Sequence, residues 1–171
     1  YKKAWSLIDA VNKRAEKPVT TSSIGGKGGG GAELTTYGKS LVEAFETITD
    51  QVFFIPGVDR ASVRSIFTPN VRFVEIVEDG FAGGNVIPSN YAPSEEMFER
   101  VRSNIVKSGE VGRLVSADFS GAMVWANLLE ENPQTGEKLD YRNVAAQLEA
   151  IRTQFENEDF TVHIIGLGTI V

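Results

Sequence analysis

The chain has 171 residues, 42% of them apolar and 23% charged, and a formal net charge of −6. That length fits one domain with room for a small piece of another, and that composition excludes wholesale disorder. There is no cysteine, which removes disulfides, thiolate metal sites and a cysteine nucleophile together.

The longest apolar runs, "DQVFFIPGV" and "TVHIIGLGTIV", fall far short of the roughly 20 residues that a membrane helix needs. Tyr1 opens directly in an amphipathic, lysine-bearing segment rather than in a signal peptide. A soluble chain without a membrane span is the expectation. Its charge is unevenly placed. Residues 1–40 hold seven Lys or Arg against three acids, a net +4, whereas residues 41–171 hold ten against twenty, a net −10. A basic head on an acidic body points to two parts that face different partners.

In chain order, the first element is a helix over "YKKAWSLIDAVNKRAEKP". Ala4, Trp5, Ile8 and Val11 share one face at helical spacing, Lys2, Lys3 and Ser6 lie elsewhere on the first turns, and Pro18 ends the run. The glycine stretch "GGKGGGGAEL" follows, with six glycines and Lys27 between Gly25 and Leu34. A Walker A loop would need a glycine separated by four residues from Gly38-Lys39-Ser40, where Glu33 stands instead, and a carboxylate there repels phosphate. The dinucleotide fingerprint fails too, because no strand-loop-helix unit with a later acid follows. The flanks "VTTSS" and "AELTTYGKSL" read as two short strands, the second leading into a helix. The stretch is therefore a hairpin whose tip needs positive φ angles, with Lys27 at its apex. A small hairpin directly after a basic helix is the layout of a winged helix, in which Lys2, Lys3 and Ser6 would face a groove.

Beyond Thr49, "ITDQVFFIPGVDRASVRSIFTPNVRFVEIVEDG" reads as a helix end, a Pro-Gly turn and strands with alternating positions, among them Val63, Ser65, Phe67, Phe73 and Ile76. "GFAGGNVIPSNYAP" is a turn-rich loop. A helix runs from an N-cap at Ser94 to a C-cap at Gly109, with Met97, Phe98, Val101 and Ile105 apolar. "VGRLVSADFSGAMVWANLLE" reads as two strands around a turn near Asp118 to Gly121. A further helix, "DYRNVAAQLEAIRTQFENE", puts Val144, Leu148, Ile151 and Phe155 on one face, and "FTVHIIG" reads as a buried strand. Strands alternating with two helices suggest an α+β fold of ferredoxin-like type.

Several residues invite a catalytic reading that their surroundings do not support. His163, the only histidine, has no neighbouring Cys, His or acid pair and reads as a structural or surface residue. Ser120 in "DFSGA" lacks the first glycine of a nucleophile elbow, since Asp118 stands there. The acids Glu130, Glu131, Glu156, Glu158 and Asp159 flank turns and helix ends without the glycine pattern of a calcium loop. Trp125 is expected in a strand as core or cavity wall. No enzyme, metal or cofactor is expected.

Two stretches resemble known families. "YKKAWSLIDAVN" followed by "GGKGGGGAELTTYGKSLVEAF", over about residues 1–46, resembles the winged helix-turn-helix domain of the molybdate-responsive (ModE-family) transcription regulators, relatives of LysR-type domains. The resemblance implies duplex DNA as partner through residues 1–40, with Lys2, Lys3 and Ser6 near the major groove and Lys27 near backbone phosphate. The family's earlier helices and its molybdate-binding modules have no counterpart in the chain. "VFFIPGVDRASVRSIFTPNVRF", "EDGFAGGNVIP", "VGRLVSADFSGAMV" and "EDFTVHIIG" resemble the periplasmic porter domain of RND-superfamily (MMPL-like) exporters over about residues 48–166. This second resemblance implies a βαββαβ porter subdomain, periplasmic, that binds or passes an apolar or lipid-like substrate. The chain then reads as a chimera, a truncated winged-helix remnant over 1–46 and a porter-like α+β domain over 47–171, with the seam near Tyr37 to Ile48. The porter fragment is the leading functional expectation and the DNA-binding regulator the alternative. Self-association through a sheet edge left without its first strand is a third expectation.

Overall fold

The computed structural model describes residues 12, 17–23, 31–92 and 94–166. The fold is α+β, with two small antiparallel sheets and three helices among the described residues. Strand β1 (Thr20–Ser23) pairs with β2 (Gly31–Leu34), Thr20 opposite Leu34 and Ser23 opposite Gly31. Helix α1 (Thr36–Phe54) follows at once. Strand β3 (Arg72–Val77) pairs with β4 (Gly80–Asn85) through the two-residue turn Glu78–Asp79. Helices α2 (Glu95–Ser108) and α3 (Tyr141–Phe155) complete the set.

The chain forms two compact units, one of residues 1–43 and 65–123, the other of residues 44–64 and 124–171. In the first, Val71, Val86, Ile105, Leu114 and Val115 form the buried core, with Ile66, Val101 and Phe119 packed on it. Val101 and Ile105 are the expected inner face of α2. Asn104 is buried beside them and donates its Nδ2 hydrogen to the Val86 carbonyl at 3.0 Å, so the carbonyl leaving β4 is satisfied inside the core. In the second unit, Ile48, Ile55, Val58, Val63, Val144 and Ile151 are buried, and Leu148 and Phe155 close the α3 face. Full burial of each such side chain contributes roughly 1.5–3 kcal/mol.

The helix boundaries follow from their caps. Ser94 accepts from the Met97 N–H, and Gly109 ends α2 in the left-handed region at φ 74°. Asp140 accepts from the N–H groups of both Arg142 and Asn143 at the start of α3. The Pro56–Gly57 turn forms as expected, with Gly57 at φ 93° and its missing side chain filled by Leu139.

The strands depart from expectation. A ferredoxin-like βαββαβ core needs one four-stranded sheet, and the described residues hold two separate hairpins instead. The segment read as a strand through Val63, Ser65 and Phe67 is a 3₁₀ turn at Arg60–Ser62 and a second turn after it. Ser65 is fully buried, its Oγ accepts from the Phe67 N–H, and Thr68 Oγ1 accepts from the Ser65 N–H while donating to the Ser65 carbonyl. These hydroxyls take the main-chain groups that a ladder would have used. Residues 111–131 make only isolated bridges, such as Arg64 with Trp125, and Trp125 is exposed rather than core. The strand expected at "FTVHIIG" makes no ladder; Val162 and Ile164 are half-buried while His163 and Ile165 face solvent. The alternation is there without a partner strand.

Asp140→Ala removes the acceptor for two orphan N–H groups of α3 and is expected to cost about 0.5–2 kcal/mol. Urea denaturation would measure it, and an unchanged midpoint would show that the cap contributes nothing.

Candidate nucleic-acid interface

The β1–β2 hairpin is held at its base by side chains on both flanks. Upstream, the Asn12 carboxamide acts as a clasp on the start of β1. Its Oδ1 accepts from the Val19 and Thr20 N–H groups at 2.9 and 3.1 Å, and its Nδ2 donates to the Thr20 carbonyl at 2.9 Å. One half-buried amide thus copies the pattern that a neighbouring strand would offer. Downstream, Thr35 caps α1. Its Oγ1 accepts from the Gly38 N–H at 2.9 Å, the N3 position of a regular cap, and its hydroxyl proton is directed to the Pro18 carbonyl at 2.7 Å. The Thr35 N–H itself donates to the Val19 carbonyl at 2.9 Å.

Gly38 closes the arrangement. It is buried, and a Cβ built on it would lie 2.2 Å from the Val19 carbonyl oxygen and 2.8 Å from Leu34 Cδ2. The Gly-Lys-Ser triplet that hinted at a phosphate loop is therefore the first turn of α1, and its glycine lets the helix sit against β1. Ser40 Oγ donates back to the Tyr37 carbonyl, and Lys39 is exposed. Lys17, also exposed, places its ammonium 5.6 Å from the centre of the Tyr37 ring, a cation–π contact worth about 0.5–1 kcal/mol at such a site.

Lys2, Lys3, Ser6 and Lys27, the residues expected to face DNA, lie outside the described residues, as does the glycine tip between Gly25 and Gly30. The structure describes the two strands that lead into that tip and the groups that anchor them. Reading the sequence missed both anchors. Asn12 carries no signal, since an asparagine near a helix end has many uses. Thr35 carried one that went unused, a threonine at the start of a helical run and three residues ahead of Gly38.

Elsewhere, Ser120, set aside on sequence grounds, has a structural role. Asp118 Oδ1 accepts from the hydroxyls of Ser116 and Ser120 and from the Ser120 N–H, so Ser120 is part of a closed turn. Burial raises the Tyr91 phenol above its ordinary value. Among the described residues no group of three His, Asp or Glu is placed to hold a metal ion. None of their helices is long and apolar enough to cross a membrane.

Comparison with known proteins returns several transcription regulators. Part of the chain is similar to the transcriptional regulator ModE of Haemophilus influenzae, 33% identical over 76 residues, which is 43% of this chain and 30% of that protein. The transcriptional regulator ModE of Yersinia pestis is 36% identical over 76 residues, 43% of this chain and 29% of that protein. The DNA-binding transcriptional dual regulator ModE of Escherichia coli K12 is 42% identical over 48 residues, 28% of this chain and 18% of that protein. The chain thus spans less than a third of the length of the curated relatives it matches. No family model matches the chain, and no solved structure is similar to it. Nothing in these comparisons supports the exporter resemblance read over residues 48–166.

Asn12→Ala strips the acceptor from Val19 and Thr20, and Gly38→Ala drives a methyl into the Val19 carbonyl. Overpacking of this kind costs about 1–3 kcal/mol. Both variants are expected to lose hydrogen-exchange protection at Val19, Thr20 and Thr35 while the amides of α3 keep theirs. Unchanged protection at the three hairpin amides would show that the clasp is not what holds β1.

Proposed function

We propose that this chain carries the DNA-binding part of a ModE-like transcription regulator, with the β1–β2 hairpin as its wing. The observation that carries the reading is the hairpin anchored on both sides, upstream by Asn12 and downstream by Thr35 and Gly38, in a chain whose relatives are named transcription regulators. A wing works only if its strands are fixed while its tip approaches the duplex. In this reading Lys27 meets backbone phosphate, and the surrounding glycines let main-chain N–H groups come close without side-chain obstruction. Lys2, Lys3 and Ser6 face the major groove from the preceding helix. The net +4 of residues 1–40 supports the same placement, because phosphate neutralisation with release of counterions supplies most non-specific affinity. The segment 1–46 is then the regulator's part, and the protein works where DNA is, in the cytoplasm. The periplasmic, substrate-passing role has no support and is set aside.

The similarity to the Haemophilus and Yersinia regulators covers 43% of the chain, a stretch longer than 46 residues. The similarity to the regulators is therefore longer than the segment on which the sequence resemblance was read.

The test is fluorescence anisotropy of the full chain on a labelled duplex of about 30 base pairs, at several salt concentrations. Affinity is expected to fall steeply between 50 and 200 mM salt, with a logarithmic slope of about −0.9 for each phosphate contact. Lys27→Ala should weaken binding to all sequences alike and flatten that slope by about one unit. Lys2→Ala with Lys3→Ala should weaken binding by about tenfold or more and reduce sequence preference. Salt-insensitive binding, or binding unchanged in the double variant, would overturn the reading.

A further inference from the structure

The second hairpin has two unlike faces. On one, Phe73 and Glu75 turn toward α2, where the Lys107 ammonium pairs with the Glu75 carboxylate and lies 5.9 Å from the centre of the Phe73 ring. On the other, Val74, Ile76 and Phe81 are 62%, 84% and 81% exposed. Ile76 stands directly opposite Phe81 in the register, and Val74 opposite Gly83, so the three form one continuous apolar surface. Solvent-facing sides of natural hairpins are usually broken by charge. Here the charges stand only at the ends. Arg72 lies at the start of β3, touching Asn85 at 3.5 Å, and the carboxylates of Glu78 and Asp79 lie at the turn. All three are exposed, and among the described residues neither turn carboxylate has an ion partner.

We propose that this face packs against the same face of a second copy of the chain, the two hairpins antiparallel about a two-fold axis. The occupant follows from the charge pattern. A two-fold packing of antiparallel hairpins brings Arg72 of each copy to the Glu78–Asp79 turn of the other, opposite charges at both ends, with Val74, Ile76 and Phe81 of both copies between them. A chain with a net charge of −6 repels its own copy over most of its surface, and β4 carries no charged residue at all. Face-to-face packing is favoured over pairing edge to edge, because an edge pair would leave the three large side chains in water. Aligned sheets stack about 10 Å apart with their side chains interdigitated, and a two-fold contact is self-complementary by construction. Three side chains of this size expose on the order of 400 Å² per copy, below the roughly 800 Å² per partner of a standard interface. The dimer is accordingly weak, with a dissociation constant on the order of 10–100 μM. The inference does not rest on the DNA-binding reading, and it concerns a different surface from the sheet edge considered on sequence grounds.

Sedimentation equilibrium of the full chain from 5 to about 500 μM tests it, over the range that the area argument sets. A monomer–dimer equilibrium is expected. Ile76→Ser with Phe81→Ser should raise the dissociation constant at least tenfold, with the circular dichroism spectrum and thermal midpoint unchanged because both side chains are largely exposed. Arg72→Glu should also weaken the dimer, and Glu78→Lys with Asp79→Lys in the same chain should restore it. Because the chain has no cysteine, Val74→Cys adds a single thiol that a short bismaleimide should cross-link between copies, whereas Glu137→Cys on an exposed loop should not cross-link. A monomer throughout the range would overturn the proposal and leave the face to a different kind of partner. So would a dimer indifferent to Ile76→Ser and Phe81→Ser, or one in which the charge swap fails to rescue Arg72→Glu.

Discussion

The Val19 peptide group is the point on which the first hairpin depends. Its N–H is taken by Asn12 Oδ1, its carbonyl by the Thr35 N–H, and the space beside that carbonyl is left open by Gly38. Asn12, β1 and the start of α1 are thereby fixed to one residue. A four-residue strand paired to another four-residue strand is marginal in water by itself. Fastened on both flanks, it becomes a stiff support for whatever its tip reaches. The chemistry is economical because each anchor does two things. Asn12 gives donor and acceptor from one amide, and Thr35 caps a helix with the same oxygen that donates to Pro18.

The same short polar side chains shape the rest of the molecule, and they do so by competing with sheet formation. Ser65 with Thr68 closes one turn, Ser116 with Asp118 and Ser120 closes another, and Asn157 accepts from the Asp159 and Phe160 N–H groups in a third. Each such contact satisfies main-chain groups locally. A segment whose N–H groups are already satisfied has less to gain from a neighbouring strand, so the apolar side chains of these segments are buried from irregular backbone. Val63, Val71, Leu114 and Val115 are core residues, and none lies in a strand.

This competition explains what could be read in the sequence and what could not. The helices were legible because their signals are local: Ser94 and Gly109 bracket α2, and the apolar positions of α3 recur over about three turns. The first hairpin was legible because glycines between a β-branched, hydroxyl-rich flank and a short strand leading into a helix have few other uses. The strands through Ser65 and Phe67, near Trp125, and at Thr161 to Ile165 were misread because alternation reports which side chains face inward, not whether a partner strand exists. Val162 and Ile164 keep that alternation with no ladder beside them. Trp125 was placed inside on hydrophobicity alone, while its backbone bridge to Arg64 holds it at the surface. Among the site residues, Lys27 and the helix lysines were chosen for charge, the property that a sequence displays most directly. Asn12 and Gly38 act through geometry, which shows only once β1 is beside α1.

The two halves of the charge distribution bear on the proposed function together. A basic segment of net +4 attracts phosphate, and an acidic remainder of net −10 is repelled by it. At physiological ionic strength the screening length is about 8 Å, so the repulsion matters only for acidic surface that comes close to the duplex. In the proposed reading its effect is to penalise docking geometries that turn residues 41–171 toward DNA and to favour approach through residues 1–40. Non-specific affinity is lowered and orientation is gained, an exchange that favours a regulator, since discrimination depends on the ratio of specific to non-specific binding rather than on affinity alone. An acidic body also keeps separate copies apart unless they meet on a neutral surface with opposite charges at its ends. The face of Val74, Ile76 and Phe81, flanked by Arg72 and by Glu78 with Asp79, is such a surface. The same acidity that steers the basic segment toward DNA would thus select how two copies come together.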